Sequence, residues 1–316
     1  MPAMLVWSPV PVLLKWVTTS AETPRSVPNI MAILVFGSSG QLAQSLRDTQ
    51  QDKEPIFVDR DTCDLADPSR VDAILERQKP GLIINAAAYT AVDKAEEESG
   101  RAHLINGVSV RRMAAYAHAN NARLIHLSTD FVFDGTKQSP YLPGDPTGPS
   151  AEYGASKLAG ELAALQEAPE ATMIIRTAWV YSEHGNNFVK TMLRLMSEKP
   201  ELGVVDDQRG SPTYAGNLAD MIWQIHEHEL FTPGIYHWTD EGNITWWDFA
   251  RAIQEEALDS GQLAKAIPIN PITTDDYPTP AARPAYSVLN NTKLAKLVGI
   301  EPTPWRQNLK LMLSRL

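Results

Sequence analysis

One cysteine, Cys63, stands in 316 residues. A lone thiol excludes an intramolecular disulfide framework and fits a reducing compartment, so the cytoplasm is the expected location. Positive charge is also short: 28 Lys and Arg against 38 Asp and Glu leave a net charge of -10. Such a balance excludes a chain whose main task is to grip nucleic-acid phosphates, and any anionic ligand must meet local positive groups. No segment reaches the ~20 apolar residues that span a bilayer, so no membrane association is expected. Internal repeats and low-complexity tracts are absent too. What remains, at 43% hydrophobic and 21% charged residues, is enough to bury an enzyme-sized core.

Residues 1–30 carry five prolines and neither a helical nor a strand period. They read as an extension, disordered or outside the functional chain, which would then start at Met31. A secretory signal is the alternative; the missing basic n-region and the interruption by Pro9 and Pro11 count against it. Over residues 31–180, short apolar runs (AILVF, PIFV, LIINAAA, RLIHLS, MIIRT) alternate with amphipathic stretches. That rhythm predicts an α/β fold, a Rossmann-type doubly wound parallel sheet that binds a dinucleotide. Residues 181–316 are mixed, with Gly, Pro and Trp clusters between helices, and predict a smaller mixed α/β substrate-binding region, some segments of which return to the sheet.

The first strand runs into GSSGQLA at residues 37–43 and then a helix. Gly37 and Gly40 therefore fall at a strand-to-helix turn, where backbone N–H groups can meet a pyrophosphate unobstructed. Ala43 takes the place of the third glycine and the spacing departs from the usual G-x-G-x-x-G. Asp59 closes the second strand about twenty residues on, positioned for the adenosine ribose hydroxyls. Arg60 beside it could equally pair with a 2′-phosphate, so NADH and NADPH both stay open. Asp64 and Leu65 flank the adenine position, Asp64 being as readily a helix cap. Small side chains after the third strand, Ala86, Ala87 and Ala88, leave a dinucleotide room to pass.

The fourth strand ends in Ser128, Thr129 and Asp130, with hydroxyls at the carboxyl edge of the sheet. Tyr153 and Lys157 follow in YGASK, one helical turn apart on one face. A phenol titrates near ~10, and a neighbouring ammonium is expected to lower that value and make Tyr153 a better acid. Charge developing on a carbonyl oxygen during hydride arrival would be quenched by its proton. Asn106 is a candidate for a water-linked proton relay to Lys157, or else a solvent-facing helical residue. The run Glu96, Glu97 and Glu98 reads as a solvated helix face, and the histidines as structural or surface groups.

Seven phrases in this order (GSSGQLA, NAAAYTAVDKAE, LSTDFVFDG, YGASKLAGE, RTAWVYSEHGNNFVKTMLRL, DDQRGSPT and YPTPAARPAYSVLN) resemble the extended short-chain dehydrogenase/reductase family, within it the dTDP-4-dehydrorhamnose reductase branch. The resemblance spans residues 31–316. It implies NAD(P)H-dependent reduction at C4 of dTDP-6-deoxy-L-lyxo-4-hexulose to dTDP-L-rhamnose, in polysaccharide precursor synthesis. It further implies Tyr153 as general acid, Lys157 on the nicotinamide ribose, and Thr129 and Asp130 on the sugar with Trp179 stacked against or flanking it. Gly40, Gln41, Leu42, Asp59, Asp64, Leu65 and Ala86 to Ala88 would line the cofactor. Arg283 has the charge for the nucleotide diphosphate, a structural salt bridge being the alternative. Relatives of this kind are dimers with magnesium held by glutamates, one of them on the helix after the phosphate loop. Ser45 stands there in this chain, and a hydroxyl replaces a carboxylate poorly on a hard cation, so no metal is expected; a homodimer rests on the resemblance alone.

Two other classes share parts of this pattern. A non-catalytic nucleotide-binding regulatory subunit would commonly lack one of Thr129, Tyr153 and Lys157, all present here. A nucleotide-sugar epimerase on the same fold would recycle its NAD, and the branch-specific phrases count against it.

Overall fold

The computed structural model describes residues 32–50 and 53–316; the expectations for residues 1–30 and for Met31 lie outside the described residues. Strands and helices alternate from the start: β1 (Ile33–Phe36), α1 (Gln41–Asp48), β2 (Ile56–Val58), α2 (Pro68–Gln78) and β3 (Leu82–Asn85). Then come α3 (Val92–Ala95), α4 (Ser99–His103), a π-helical turn Leu104–Val108, α5 (Ser109–Asn120), β4 (Arg123–Thr129), α6 (Glu152–Glu167) and β5 (Thr172–Thr177). The remainder holds β6 (Val180–Tyr181), α7 (Phe188–Glu198), β7 (Leu202–Val205), β8 (Arg209–Gly210), β9 (Thr213–Tyr214) and α8 (Ala215–Glu227). It closes with β10 (Gly234–His237), β11 (Ile244–Thr245), α9 (Trp246–Asp259), β12 (Ile269–Ile272), α10 (Thr292–Val298) and α11 (Trp305–Leu313).

Six strands form one sheet in the order β10-β5-β4-β3-β1-β2, every pair parallel. Parallel strands covered on both faces read as unbroken apolar runs, and β1 (ILVF) is buried along its whole length. One face packs Leu42, Ala43 and Leu46 of α1 with Leu218, Ile222 and Trp223 of α8. The other packs Val71 and Leu75 of α2 with Val110, Met113 and Ala117 of α5. The chain leaves β1 toward β2 on one side and β3 on the other, so a crevice opens beyond the carboxyl ends of β1 and β3.

Local chemistry sets the boundaries. Pro68 opens α2 behind Asp67, whose carboxylate accepts from the Ser69 N–H, and Lys79 ends it in the left-handed region at φ 46°. The run LIINAAA is not strand throughout. It stops at Asn85, whose Oδ1 turns back to accept from the Ala87 N–H at 3.2 Å while its Nδ2 meets His126 at 3.1 Å. Beyond Tyr181 the segments form a second apolar core under α7, α9 and α11, with β6–β9, β7–β12 and β8–β11 as short pairs. The segment Gly234–His237 lies beside β5 in the main sheet. No helix among the described residues is long and apolar enough to cross a membrane.

Candidate active site

A cavity of about 770 Å³ occupies the crevice, lined by Gly37, Gly40, Gln41, Leu42, Asp59, Asp64, Leu65, Ala86, Ala87, Ala88, Tyr153 and Lys157 together. Gly37 sits at φ +103°, where only glycine is at ease, and a Cβ there would come within 3.0 Å of the Ala87 nitrogen. Gly40 caps α1 without any side-chain hydrogen bond, so the first N–H groups of the helix are left open to an anion. The cradle fits a pyrophosphate. Asp59 is held below the ordinary carboxylate range by its hydrogen bonds from Thr62, leaving an ionised acceptor at the mouth. Arg60 turns to Asp64, Nε to Oδ2 3.3 Å, and Asp64 also accepts from the Ala66 N–H at 3.0 Å. Val180, Gly185 and Asn186 stand on the far wall; sequence reasoning quoted them only within the phrase RTAWVYSEHGNNFVKTMLRL and gave them no role.

Tyr153 and Lys157 share one face of α6, Lys157 buried and Tyr153 half-buried where it lines the cavity. Burial pushes the Tyr153 phenol up to about 12, the Thr129 hydroxyl drawing it down and the Asp130 charge raising it further. The shift of the phenol carries no lowering by Lys157, whose Nζ donates to the Leu127 carbonyl at 2.6 Å. Burial lowers Lys157 to about 8 while the charge of Glu161 opposes it. Glu161 in turn is locked to Arg176 of β5, Nη2 to Oε2 2.6 Å, both fully buried. The Thr129 hydroxyl donates to Asp130 Oδ1 at 2.9 Å; burial raises the Asp130 carboxyl to about 6 and its Oδ2 has no partner.

Asn106 is neither solvent-facing nor near solvent. It is buried in the π-helical turn, its Oδ1 accepting from the Tyr89 N–H at 2.8 Å and its Nδ2 donating to Ser156 Oγ at 2.9 Å. Gly160 permits that turn to approach α6, since a Cβ would lie 2.0 Å from the Asn106 carbonyl oxygen. The three glutamates are exposed as expected, yet Glu96 also accepts from the Glu152 N–H at 3.0 Å and so caps α6.

A second cavity of about 390 Å³ is mainly apolar and is lined by Phe131, Trp179, Phe188, Met192, Trp246 and Arg283 among others. Phe131 packs edge-on against Tyr153 with ring centroids 5.6 Å apart, so the phenol stands where the two cavities approach. Trp179 adopts φ 46°, a strained value for a bulky residue, and stacks on Trp246 at 3.5 Å. Of the two readings of Arg283, the structure shows the salt bridge. The guanidinium grips Asp93 with both Nη atoms, at 2.8 and 2.9 Å, and also donates to Thr279 Oγ1 and the Ala281 carbonyl. Among the described residues no group of three or more His, Cys, Asp or Glu could hold a metal ion.

The family model for the RmlD substrate binding domain matches residues 31–316. The chain belongs to that family. It is 43% identical over 285 residues to the dTDP-4-dehydrorhamnose reductase of Aggregatibacter actinomycetemcomitans, covering 88% of this chain and 97% of that one. Among solved structures it is similar to the dTDP-4-dehydrorhamnose reductase of Clostridium acetobutylicum, at a TM-score of 0.83 and 35% identity over 90% of this chain and 99% of that one. It is equally similar to the Bacillus anthracis reductase in complex with NADP, at a TM-score of 0.83 and 33% identity with the same coverage.

Proposed function

We propose that the protein is an NAD(P)H-dependent dTDP-4-dehydrorhamnose reductase, converting the C4 ketone of dTDP-6-deoxy-L-lyxo-4-hexulose to the alcohol of dTDP-L-rhamnose. The observation that carries this reading is a neutral, half-buried Tyr153 phenol placed between a dinucleotide cradle and an aromatic pocket. A bound nicotinamide supplies the hydride. As charge develops on the C4 oxygen, Tyr153 Oη donates its proton, and a phenol held near 12 is fully protonated for that task at neutral pH. Thr129 is oriented by its bond to Asp130 and lies beside the Tyr153 phenol; both residues are buried beneath the lining of the site, so they would act on the sugar through the phenol. Lys157 would hold the nicotinamide ribose from the floor of the cradle, and Trp179 and Trp246 would wall the pocket that takes the sugar. The single buried Cys63 supports a reducing compartment such as the cytoplasm.

The test follows NAD(P)H absorbance with the 4-keto sugar nucleotide supplied, comparing wild type with Tyr153→Phe. Stoichiometric consumption that falls by 10²-fold or more in the variant is the expected result, in keeping with loss of ~3 kcal/mol of general-acid assistance. Cofactor that binds but is never consumed refutes the reductase and favours a redox-neutral epimerase.

A further inference from the structure

Gln41 lies in the phosphate loop, yet its side chain points away from α1. The amide donates to the Val180 carbonyl at 3.3 Å and accepts from Ser182 Oγ at 3.0 Å and Asn187 Nδ2 at 3.0 Å, partners 139 to 146 positions distant. Those residues belong to one segment that serves both cavities. Val180, Gly185 and Asn186 line the larger one, while Trp179 just before it and Phe188, Thr191, Met192 and Leu195 just after it line the smaller. Asn187 is also the N-cap of α7, its Oδ1 accepting from the Lys190 N–H at 3.2 Å, so whatever fixes Asn187 fixes the helix that walls the second cavity. A second tie joins the same segment to the far end of α1, His184 Nε2 to Asp48 Oδ2 at 2.6 Å.

We propose that Gln41 is a positioning residue that couples occupation of the dinucleotide cradle to the shape of the substrate cavity. The inference rests on the reductase reading and assigns Gln41 a role separate from cofactor contact. Its backbone N–H stands at the uncapped start of α1, where a pyrophosphate would hold it, and its carboxamide holds residues 180–187. An anion that orders the first turn of α1 thereby orders Trp179 and α7, and the sugar nucleotide meets a finished pocket only after the dinucleotide is in place. No ligand need touch the Gln41 side chain for this to work.

Calorimetry of dTDP binding, with and without saturating NADP+, tests the coupling in wild type, Gln41→Met and Ser182→Ala. In wild type NADP+ tightens dTDP binding by roughly tenfold, within the usual range of coupling between sites. Gln41→Met, which keeps length and loses all three hydrogen bonds, abolishes the enhancement and raises KM for the sugar nucleotide about tenfold, while Ser182→Ala, which lines neither cavity, leaves affinity for NADP+ within about twofold. Ser182→Ala, which spares the bonds to Val180 and Asn187, gives an intermediate loss and decides the matter if Gln41→Met fails to melt cooperatively. An undiminished enhancement in the variants, no enhancement in wild type, or parallel weakening of both ligands together with a lowered Tm overturns the proposal and leaves the reductase reading standing. A wild-type protein that binds no dTDP refutes that reading and the coupling with it.

Discussion

A methyl group added at Gly210 would strike the substrate pocket from behind. The Cβ of Gly210→Ala would lie 2.6, 2.7 and 2.9 Å from Cε2, Cζ2 and Nε1 of Trp179, short of ordinary carbon contact by close to an ångström. The indole has little room to shift, because it is stacked on Trp246 at a centroid distance of 3.5 Å and an interplanar angle of 13°. Strand β8 is paired on both sides, with Ile244 opposite Gly210 and Ser287 donating to the Arg209 carbonyl at 2.7 Å, so the backbone resists yielding as well. Overpacking of this kind costs about 1–3 kcal/mol, equivalent to a few degrees in Tm for a chain of this size. Displacing Trp179 by about 1 Å is expected to cost 10–100-fold in kcat/KM, expressed mostly in KM for the sugar nucleotide. Dissociation of NADP+, followed by fluorescence, stays unchanged, since Gly210 borders none of the dinucleotide cavity. Wild-type KM and Tm in Gly210→Ala would show that the stack is loose and sink the reasoning; an equal loss of cofactor affinity would show a global lesion instead.

Asp240 is buried beside Tyr181 and Tyr214, and desolvation raises its carboxyl to about 7. A carboxyl with a raised folded value binds its proton more tightly in the native state, so stability falls as pH climbs from about 4 through 7. Asp240→Asn, which can still accept from the Tyr214 N–H, should therefore melt higher than wild type at pH ~8 by on the order of 1–3 kcal/mol, and the gap should close near pH ~4; a pH-independent difference would contradict this. The Glu161–Arg176 pair is buried on both sides, so Glu161→Ala should cost about 3–5 kcal/mol in urea unfolding by stranding the guanidinium, and a double variant with Arg176→Met should recover much of it. A single-variant loss below about 1 kcal/mol would mean that water reaches the site.

The parallel sheet and the dinucleotide cradle were legible in the sequence because their chemistry is local: an apolar run, a turn that only glycine permits, and a helix follow one another within residues 33–48. Tyr153 and Lys157 were legible for the same reason, being one helical turn apart. What the chain order hid is what depends on distant partners. Arg283 stays open between a diphosphate contact and a salt bridge until Asp93, 190 positions earlier, is folded against it. Lys157 looks like the group that sets the Tyr153 phenol, whereas burial among residues from other elements is what raises it. Asn106 sits in a sequence with ordinary helical composition, and its burial depends on partners set by the fold, Tyr89, Ser156 and the close approach of Gly160.

The last sheet strand to be made, Gly234–His237, is also an edge of the main sheet, and Arg283 closes the second cavity from still later in the chain. Contacts such as Trp223 Nε1 to the Leu46 carbonyl span 177 positions, so ring closures of this length must form before the core rewards them. A ribosome-bound chain that has emerged only as far as Glu227 holds every residue of the phosphate loop and of the Tyr153–Lys157 pair, yet neither a completed sheet nor the far wall for a sugar. Its half-built α/β layers would expose β5 as an open edge, the hazard that makes such chains depend on rapid completion or on chaperones.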